Sequence, residues 1–240
     1  MDATKRQQQM RRGVTALRHQ FAQGGSGVFS AVLEGADAAQ IIETEAGHYR
    51  DRCYPPLTTL RLFIGQVLSE DGACQDVVGR HLSACVATGR RPCGLNTGPY
   101  CQARQRLPLA MPQRLSRMVG ERLESRMPKA WCWRGRHVKL FDGTTVSMPD
   151  TPENQRAFPQ SSEQKPGLGF PVARIGGLIS LASGAVLGHA VAACKGKGTG
   201  EQTLLRGLLP LIVKSDILLA DALLATWWIV AEIRRRGGDV

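Results

Sequence analysis

The chain lacks the long apolar run that a membrane-spanning helix requires. Although 42% of its 240 residues are hydrophobic, no stretch of about 18 consecutive apolar residues occurs. The N-terminal sequence MDATKRQQQMRRG is basic and glutamine-rich, and it has no apolar segment of the kind found in secretory signals. We therefore expect a globular cytoplasmic protein, with a hydrophobic core and without a membrane partner.

Motifs that bind zinc, form disulfides or bind nucleotides are also missing. The seven cysteines are scattered without a CxxC pair, and the five histidines show no HExxH spacing. This pattern favours reduced thiols and structural histidines. The segment CKGKGTGEQ is rich in lysine and glycine, but it lacks the GxxxxGK[ST] spacing of a P-loop, so no nucleotide cofactor is expected.

Acidic residues are in the minority, with 20 Asp and Glu against 31 Lys and Arg, giving a net charge of +11. Such a surplus favours a polyanionic partner such as nucleic acid. A short helix carrying Gln102, Arg104 and Arg106 would present side chains suited to DNA base edges. The basic residues between positions 101 and 139 fit either a solvated helix face or a DNA-backbone surface; they are Arg104, Arg106, Arg114, Arg117, Arg122, Arg126, Lys129, Arg134, Arg136 and Lys139.

Hydrophobic periodicity separates two regions. Residues 1–130 follow a helical pattern, with helices predicted over 57–68, 73–87, 99–107 and 111–127, and form a candidate DNA-binding region. Residues 131–240 predict an α/β domain, in which a mixed sheet is flanked by helices. Its elements are a strand at 137–141, a long loop over 147–171, a hairpin of strands 173–181 and 185–191, a helix over 200–213 with a Thr199/Gln202 capping box, a buried strand at 216–221, a helix over 225–236 and the start of a strand at 238–240.

Two aspartates end predicted strands of the α/β region. Asp142 follows the first strand and Asp221 follows the buried one, so both carboxylates would meet at one sheet edge if these strands are parallel neighbours. Such a pair suits Mg²⁺ or Mn²⁺ and phosphoryl-transfer chemistry. Two plainer interpretations remain open: Asp142-Gly143 as a turn, and Asp221 as the N-cap of the next helix.

Several long motifs resemble one family of DNA-transposing enzymes. The run FDGTTVSMPDTPENQRAFPQSSEQKPGLGFPVARIGGLISLASGAVL, then KGKGTGEQTLLRGLL and DILLAD, and upstream YRDRCYPPLTTLRLFIGQVL and TGPYCQARQRLP, resemble DDE transposases of the insertion-sequence-four type. The resemblance implies a ribonuclease H-like catalytic domain in which Asp142 and Asp221 are the first two catalytic, metal-binding acids. The implied reaction is Mg²⁺- or Mn²⁺-dependent cleavage and strand transfer, and the implied partner is double-stranded DNA at element ends and target.

The chain departs from this family in two ways. Asp221 is followed by ALLAT instead of the family's Arg and aromatic residues. The family's third acid, in a downstream Tyr, Arg, Glu, Lys motif, has no counterpart before Val240, so the resemblance predicts a truncated copy with an incomplete ribonuclease H-like domain. The alternative is a non-catalytic fragment that binds element ends. An exposed edge at residues 216–221 would favour self-association.

The loop before the predicted helix at 200–213 carries Lys195 and Lys197. A glycine-rich basic loop at a helix N-terminus suits contact with DNA phosphates. A plain flexible loop is the alternative interpretation.

Overall fold

The chain forms two units, Met1–Leu115 and Ser116–Val240. The computed structural model describes residues 33, 35–50, 52–161, 163, 165 and 167–240, so the basic head at residues 1–13 lies outside the described residues. The division falls within a helix, upstream of the boundary expected near residue 130.

Helices build the described part of the first unit. The four helices predicted from periodicity are confirmed to within about two residues at each end, while the first helix of the described region was not predicted because its apolar residues are few and partly alanine. The helices are α1 Ala36–Ala46, α2 Pro56–Leu68, α3 Cys74–Ala87, α4 Gly98–Gln105 and α5 Ala110–Ser125, of which the last crosses into the second unit.

A buried tyrosine joins three helices of the first unit. Tyr100 on α4 is fully buried against Val77 and Val78 of α3. Its hydroxyl donates a hydrogen bond of 2.8 Å to Oε1 of Gln66 on α2. Burial raises the pKa of Tyr100 to about 12, so the phenol stays protonated and remains a donor.

A disulfide links Cys53 to Cys93, with their Cα atoms 5.9 Å apart. The expectation that every cysteine is a free thiol was therefore wrong. Folding brings the segment before α2 beside the segment before α4, and a sequence separation of 40 residues gives no hint of that proximity. The other described cysteines are free; they are Cys74, Cys85, Cys101, Cys132 and Cys194.

The second unit contains a four-stranded mixed sheet with flanking helices, as predicted for an α/β domain. The strands are β1 Val138–Ser147, β2 Val172–Ser180, β3 Val186–Ala193 and β4 Ile217–Leu219, in the spatial order β3-β2-β1-β4. The predicted hairpin of β2 and β3 is confirmed as antiparallel, β1 is antiparallel to β2, and β1 is parallel to β4.

β1 is longer than the sequence predicted. Asp142 and Gly143 were expected to end it, but they pair with Gly177 and Gly176 of β2, and the ladder continues to Ser147. A turn at Asp142-Gly143 is therefore excluded, because the long partner strand keeps this step extended.

A short helix, α6 Pro152–Ala157, lies in the segment 147–171 that was predicted to be a loop; the side chain of Thr151 caps it by accepting a hydrogen bond from the Asn154 N–H. The two predicted helices of the second unit are shorter than expected, α7 Glu201–Leu208 and α8 Trp227–Arg235. Turns of 3₁₀ helix occur at Lys129–Trp131, Leu209–Leu211 and Ala222–Leu224. The capping box expected at Thr199 and Gln202 was wrong, because Gly200 is the N-cap and no side chain caps this helix. Thr199 Oγ1 donates to the carbonyl of Gly196, and Gln202 Nε2 donates to the carbonyl of Leu223.

The core of this unit lies between the sheet and the helices. Leu204, Leu205 and Leu208 of α7 pack with Phe141 and Leu178 of the sheet, and Ile229 and Ile233 of α8 belong to the same cluster. The apolar stripe of each helix is thereby removed from water, which is the main source of stability for such elements.

β4 was predicted to be buried throughout residues 216–221, and this is only partly so. Leu218 is 2% exposed but Leu219 is 50% exposed. Residues 238–240, predicted to begin a strand, contact this edge at one position, where Ile217 bridges Asp239 in parallel and Leu218 N–H donates to the Asp239 carbonyl. Self-association through this edge stays a prediction. Within the described residues, no helix is both long and apolar enough to cross a membrane.

Candidate metal and nucleic-acid sites

The parallel pairing of β1 and β4 brings Asp142 and Asp221 level with each other. Leu140 pairs with Leu219, and each aspartate lies two residues further along its own segment. Neighbouring strands are about 4.8 Å apart, so the two carboxylates lie at one edge of the sheet, beyond the carboxyl end of β4. The expectation that the two strands are adjacent and parallel is confirmed.

Each aspartate uses one carboxylate oxygen to fix its own position. Asp142 Oδ1 accepts a 2.8 Å hydrogen bond from the Gly143 N–H. Asp221 Oδ1 accepts a 3.0 Å bond from the Leu223 N–H and so caps the 3₁₀ turn, whereas Thr226 caps α8. No hydrogen bond from the described residues reaches the other oxygen of either exposed carboxylate. Local capping and metal binding are therefore compatible at both positions.

Glu201 lies against the same strand, but on the face opposite to Asp142. A methyl group placed on Gly143 would lie 2.9 Å from both Cδ and Oε1 of Glu201, and side chains of consecutive strand residues point to opposite faces of the sheet. Glu201 is therefore not part of the aspartate pair. The contact spans 58 positions of the chain and depends on how α7 docks on the sheet, which no local pattern reveals.

The carboxylates fit Mg²⁺ or Mn²⁺ by donor chemistry, because hard cations prefer oxygen ligands. Across the described residues, no group of three or more His, Cys, Asp and Glu side chains is arranged to hold a metal ion. Mg²⁺ commonly takes only one or two protein carboxylates and completes its octahedron with water and substrate phosphates. Asp142 and Asp221 supply two carboxylates of that kind.

Two other acids of the second unit have structural roles. Asp216 is buried and its Oδ2 lies 2.7 Å from Lys139 Nζ. Glu232 accepts hydrogen bonds from Arg235 and Arg236. These bonds, led by the one from Arg235, lower the pKa of Glu232 to about 2. Neither acid is available as a ligand at the Asp142 edge.

Several residues close to Asp221 in the sequence have exposed apolar side chains. Leu219 and Leu223 are exposed by 50% and 82%, and Trp227 by 83%. Trp228 is covered in part by Arg206, whose guanidinium carbon lies 4.8 Å from the ring centroid.

Lys195 and Lys197 lie in the exposed turn between β3 and α7. The glycines beside them adopt positive φ, 122° at Gly196 and 74° at Gly198, so the turn reverses direction sharply. Among the described residues neither lysine forms an ion pair. This turn leads directly into Glu201 at the start of α7.

The basic run between positions 101 and 139 is dispersed by folding. Arg117 pairs with Glu121 at 2.9 Å, Arg136 with Asp239 at 2.7 Å, and Arg114 with Glu45. Lys139 is buried and also has an acidic partner, Asp216, within the described part of the chain. The whole run therefore does not form a single continuous DNA-contacting face.

Gln102, Arg104 and Arg106 occupy α4 and its C-cap as predicted, but they differ in accessibility. Gln102 and Arg106 are exposed. The Arg104 guanidinium is half-buried, donates a 2.9 Å bond to Gln66 Oε1, and lies 4.8 Å from the centroid of the Phe63 ring. Arg104 thus joins α4 to α2, and its two neighbours face solvent.

Comparison with models of protein families, with curated proteins and with solved structures finds no match for this chain.

Proposed function

We propose that this chain is a DDE transposase of the insertion-sequence-four type, acting in metal-dependent cleavage and strand transfer at the ends of an insertion sequence. One observation carries the proposal: the β1–β4 register brings Asp142 level with Asp221. The strand order β3-β2-β1-β4, with a parallel bridge to Asp239 beyond it, supports a ribonuclease H-like arrangement. The motifs quoted above supply the family and the substrate.

The proposed chemistry assigns a role to each polar side chain of the edge. The oxygens of Asp142 and Asp221 that receive no described hydrogen bond would hold Mg²⁺ or Mn²⁺, which polarises a DNA phosphate and activates the attacking oxygen. The hydrogen bonds from Gly143 and Leu223 keep both carboxylates oriented without substrate. Lys195 and Lys197 would contact the DNA backbone, and Gln102 and Arg106 would contact DNA from the first unit.

A non-catalytic DNA-binding role is the second candidate. It is favoured by the finding that no three-ligand metal group occurs among the described residues. In this role the chain would occupy element ends without cutting them. The two candidates make the same prediction for DNA binding and opposite predictions for cleavage.

A nicking assay separates them. The substrate is a supercoiled plasmid carrying the DNA that flanks the chain's own gene, incubated with the intact protein and Mg²⁺ or Mn²⁺. We expect nicked circles, and their loss in both Asp142→Asn and Asp221→Asn. Asparagine still accepts a capping hydrogen bond, so the fold is preserved. Glu153→Gln removes an exposed acid of α6 that has no role in the proposed site, so it is the matched control and should nick normally.

Three results are informative. Binding without nicking in the unaltered protein supports the non-catalytic candidate. Nicking that survives both aspartate substitutions contradicts the assigned site. A protein that neither binds nor nicks this DNA contradicts both candidates.

A further inference from the structure

A groove of about 810 Å³ lies on the first unit between the segment before α2 and the helix α4. Its walls carry basic and amide groups from two separate parts of the chain. Arg50 and Arg52 belong to the first wall, and Gln102 and Arg106 belong to the second. Tyr49, which is 43% exposed, adds an aromatic surface beside Arg50.

We infer that this groove binds the phosphodiester backbone of duplex DNA through Arg50, Arg52 and Arg106, an inference that rests on the proposed function and assigns its DNA-contacting surface in the first unit. All three arginines are exposed, and among the described residues none forms an ion pair. Asp51 lies between two of them in the sequence and outside the described residues. Guanidinium groups that line one groove suit phosphate recognition, since their planar donors match phosphate oxygens.

The chemistry of the lining favours a nucleic-acid backbone over a small apolar ligand. Small-molecule pockets are largely hydrophobic and enclose their ligand. This groove is open, and beside apolar residues such as Pro55, Pro56 and Leu107 its lining includes three arginines, an amide and an exposed phenol ring. The net charge of +11 on the whole chain adds long-range attraction for a polyanion.

Three contacts hold the walls of the groove in place before any ligand binds. The Cys53–Cys93 disulfide fixes the segment directly after Arg52. Thr59 Oγ1 donates to the carbonyl of Tyr54 at 3.0 Å and anchors the same segment to α2. Arg104 anchors α4 to α2 through Gln66. A groove whose walls are already ordered binds with a smaller loss of conformational entropy.

The test is the salt dependence of duplex binding, measured by fluorescence anisotropy with a labelled 20-base-pair DNA and the full chain. Each phosphate contact contributes about 0.9 to the slope of log K against log salt. Arg50→Gln/Arg106→Gln should therefore lower the slope by about 1.8 and weaken binding about 60-fold at 0.1 M NaCl. Arg90→Gln/Arg91→Gln removes the same charge from exposed positions of the same unit outside the groove, and it should retain the slope.

Several outcomes would overturn the inference. If the groove variant and the control variant lose affinity equally, the binding is diffuse electrostatics and not this groove. If the groove variant loses binding to phosphatidylserine vesicles while duplex binding is unchanged, the surface recognises membranes. If the unaltered protein nicks plasmid and the groove variant binds duplex DNA normally, the groove assignment alone is refuted. If the unaltered protein neither binds duplex DNA nor nicks plasmid, the proposed function is refuted as well.

Discussion

Replacing Lys139 by methionine should destabilise the second unit strongly, because it leaves a buried acid without its cation. Lys139 Nζ lies 2.7 Å from Asp216 Oδ2 and donates a 2.8 Å hydrogen bond to the Leu211 carbonyl. The two charged side chains are only 6% and 4% exposed. Asp216 Oδ2 also accepts a 2.7 Å bond from the Val213 N–H, so the acid cannot swing out to water without breaking a second contact.

The pair also connects the fold to the proposed site. Lys139 lies on β1 three residues before Asp142, and Asp216 directly precedes β4. The ion pair therefore ties together the two strands whose register brings Asp142 level with Asp221. Removing one partner of a buried pair costs about 3–5 kcal/mol. Since domains have a total stability of about 5–15 kcal/mol, this loss is a large part of it.

Urea denaturation followed by tryptophan fluorescence measures this loss in the second unit alone. All four tryptophans, at positions 131, 133, 227 and 228, belong to that unit. With a slope of about 2 kcal/mol per molar urea, the midpoint should fall by about 2 M. Lys129→Met, at an exposed position, should leave the midpoint unchanged. A shift for Lys139→Met no larger than that of this control would refute the assignment of a stabilising buried pair.

Three further predictions follow from particular contacts. Gly176→Ala should lower the free energy of unfolding by about 1–3 kcal/mol, because its methyl group would lie 2.9 Å from the Phe141 ring, whereas Gly177→Ala meets nothing within 4 Å and should cost almost nothing in the same urea titration. Cys53→Ser should destabilise the first unit by about 4 kcal/mol under oxidising conditions, as expected for opening a loop of 40 residues, and dithiothreitol should abolish the difference in circular-dichroism melts. The pKa of Glu232 is lowered to about 2, so its ionised form stabilises the fold above about pH 4.3 and this contribution is lost as the pH falls towards 2. The difference in free energy of unfolding between the protein and Glu232→Gln should therefore become smaller over that pH range. A difference that does not change with pH would contradict the assignment.

Elements that bury one regular face were predictable from sequence, and those set by a distant partner were not. The periodic apolar residues of α2 and α3 predicted helices close to those observed, and the hairpin of β2 and β3 was predicted at the observed place in the chain. The predicted β1 ended too early, at Asp142-Gly143, because a local turn pattern contains no information about the pairing with β2, which continues as far as Ser147.

The candidate site was predictable in the same partial way. Asp142 and Asp221 follow apolar segments, and the parallel register that aligns them was an inference from element order that the fold confirms. The position of Glu201 beside Gly143, the Lys139–Asp216 pair and the Cys53–Cys93 disulfide all depend on contacts between residues at least 40 positions apart. Periodicity and motif spacing report on neighbours along the chain and carry no information about such contacts.

The central claim is that Asp142 and Asp221 act together as one divalent-metal site. Electron paramagnetic resonance of free Mn²⁺, titrated with the intact chain, measures this directly because bound Mn²⁺ leaves the free six-line signal. We predict that the chain binds Mn²⁺, that Asp142→Asn and Asp221→Asn each abolish the binding, and that Glu153→Gln retains it. Mn²⁺ binding that is unchanged in both aspartate variants, or absent from the unaltered chain, would contradict the account.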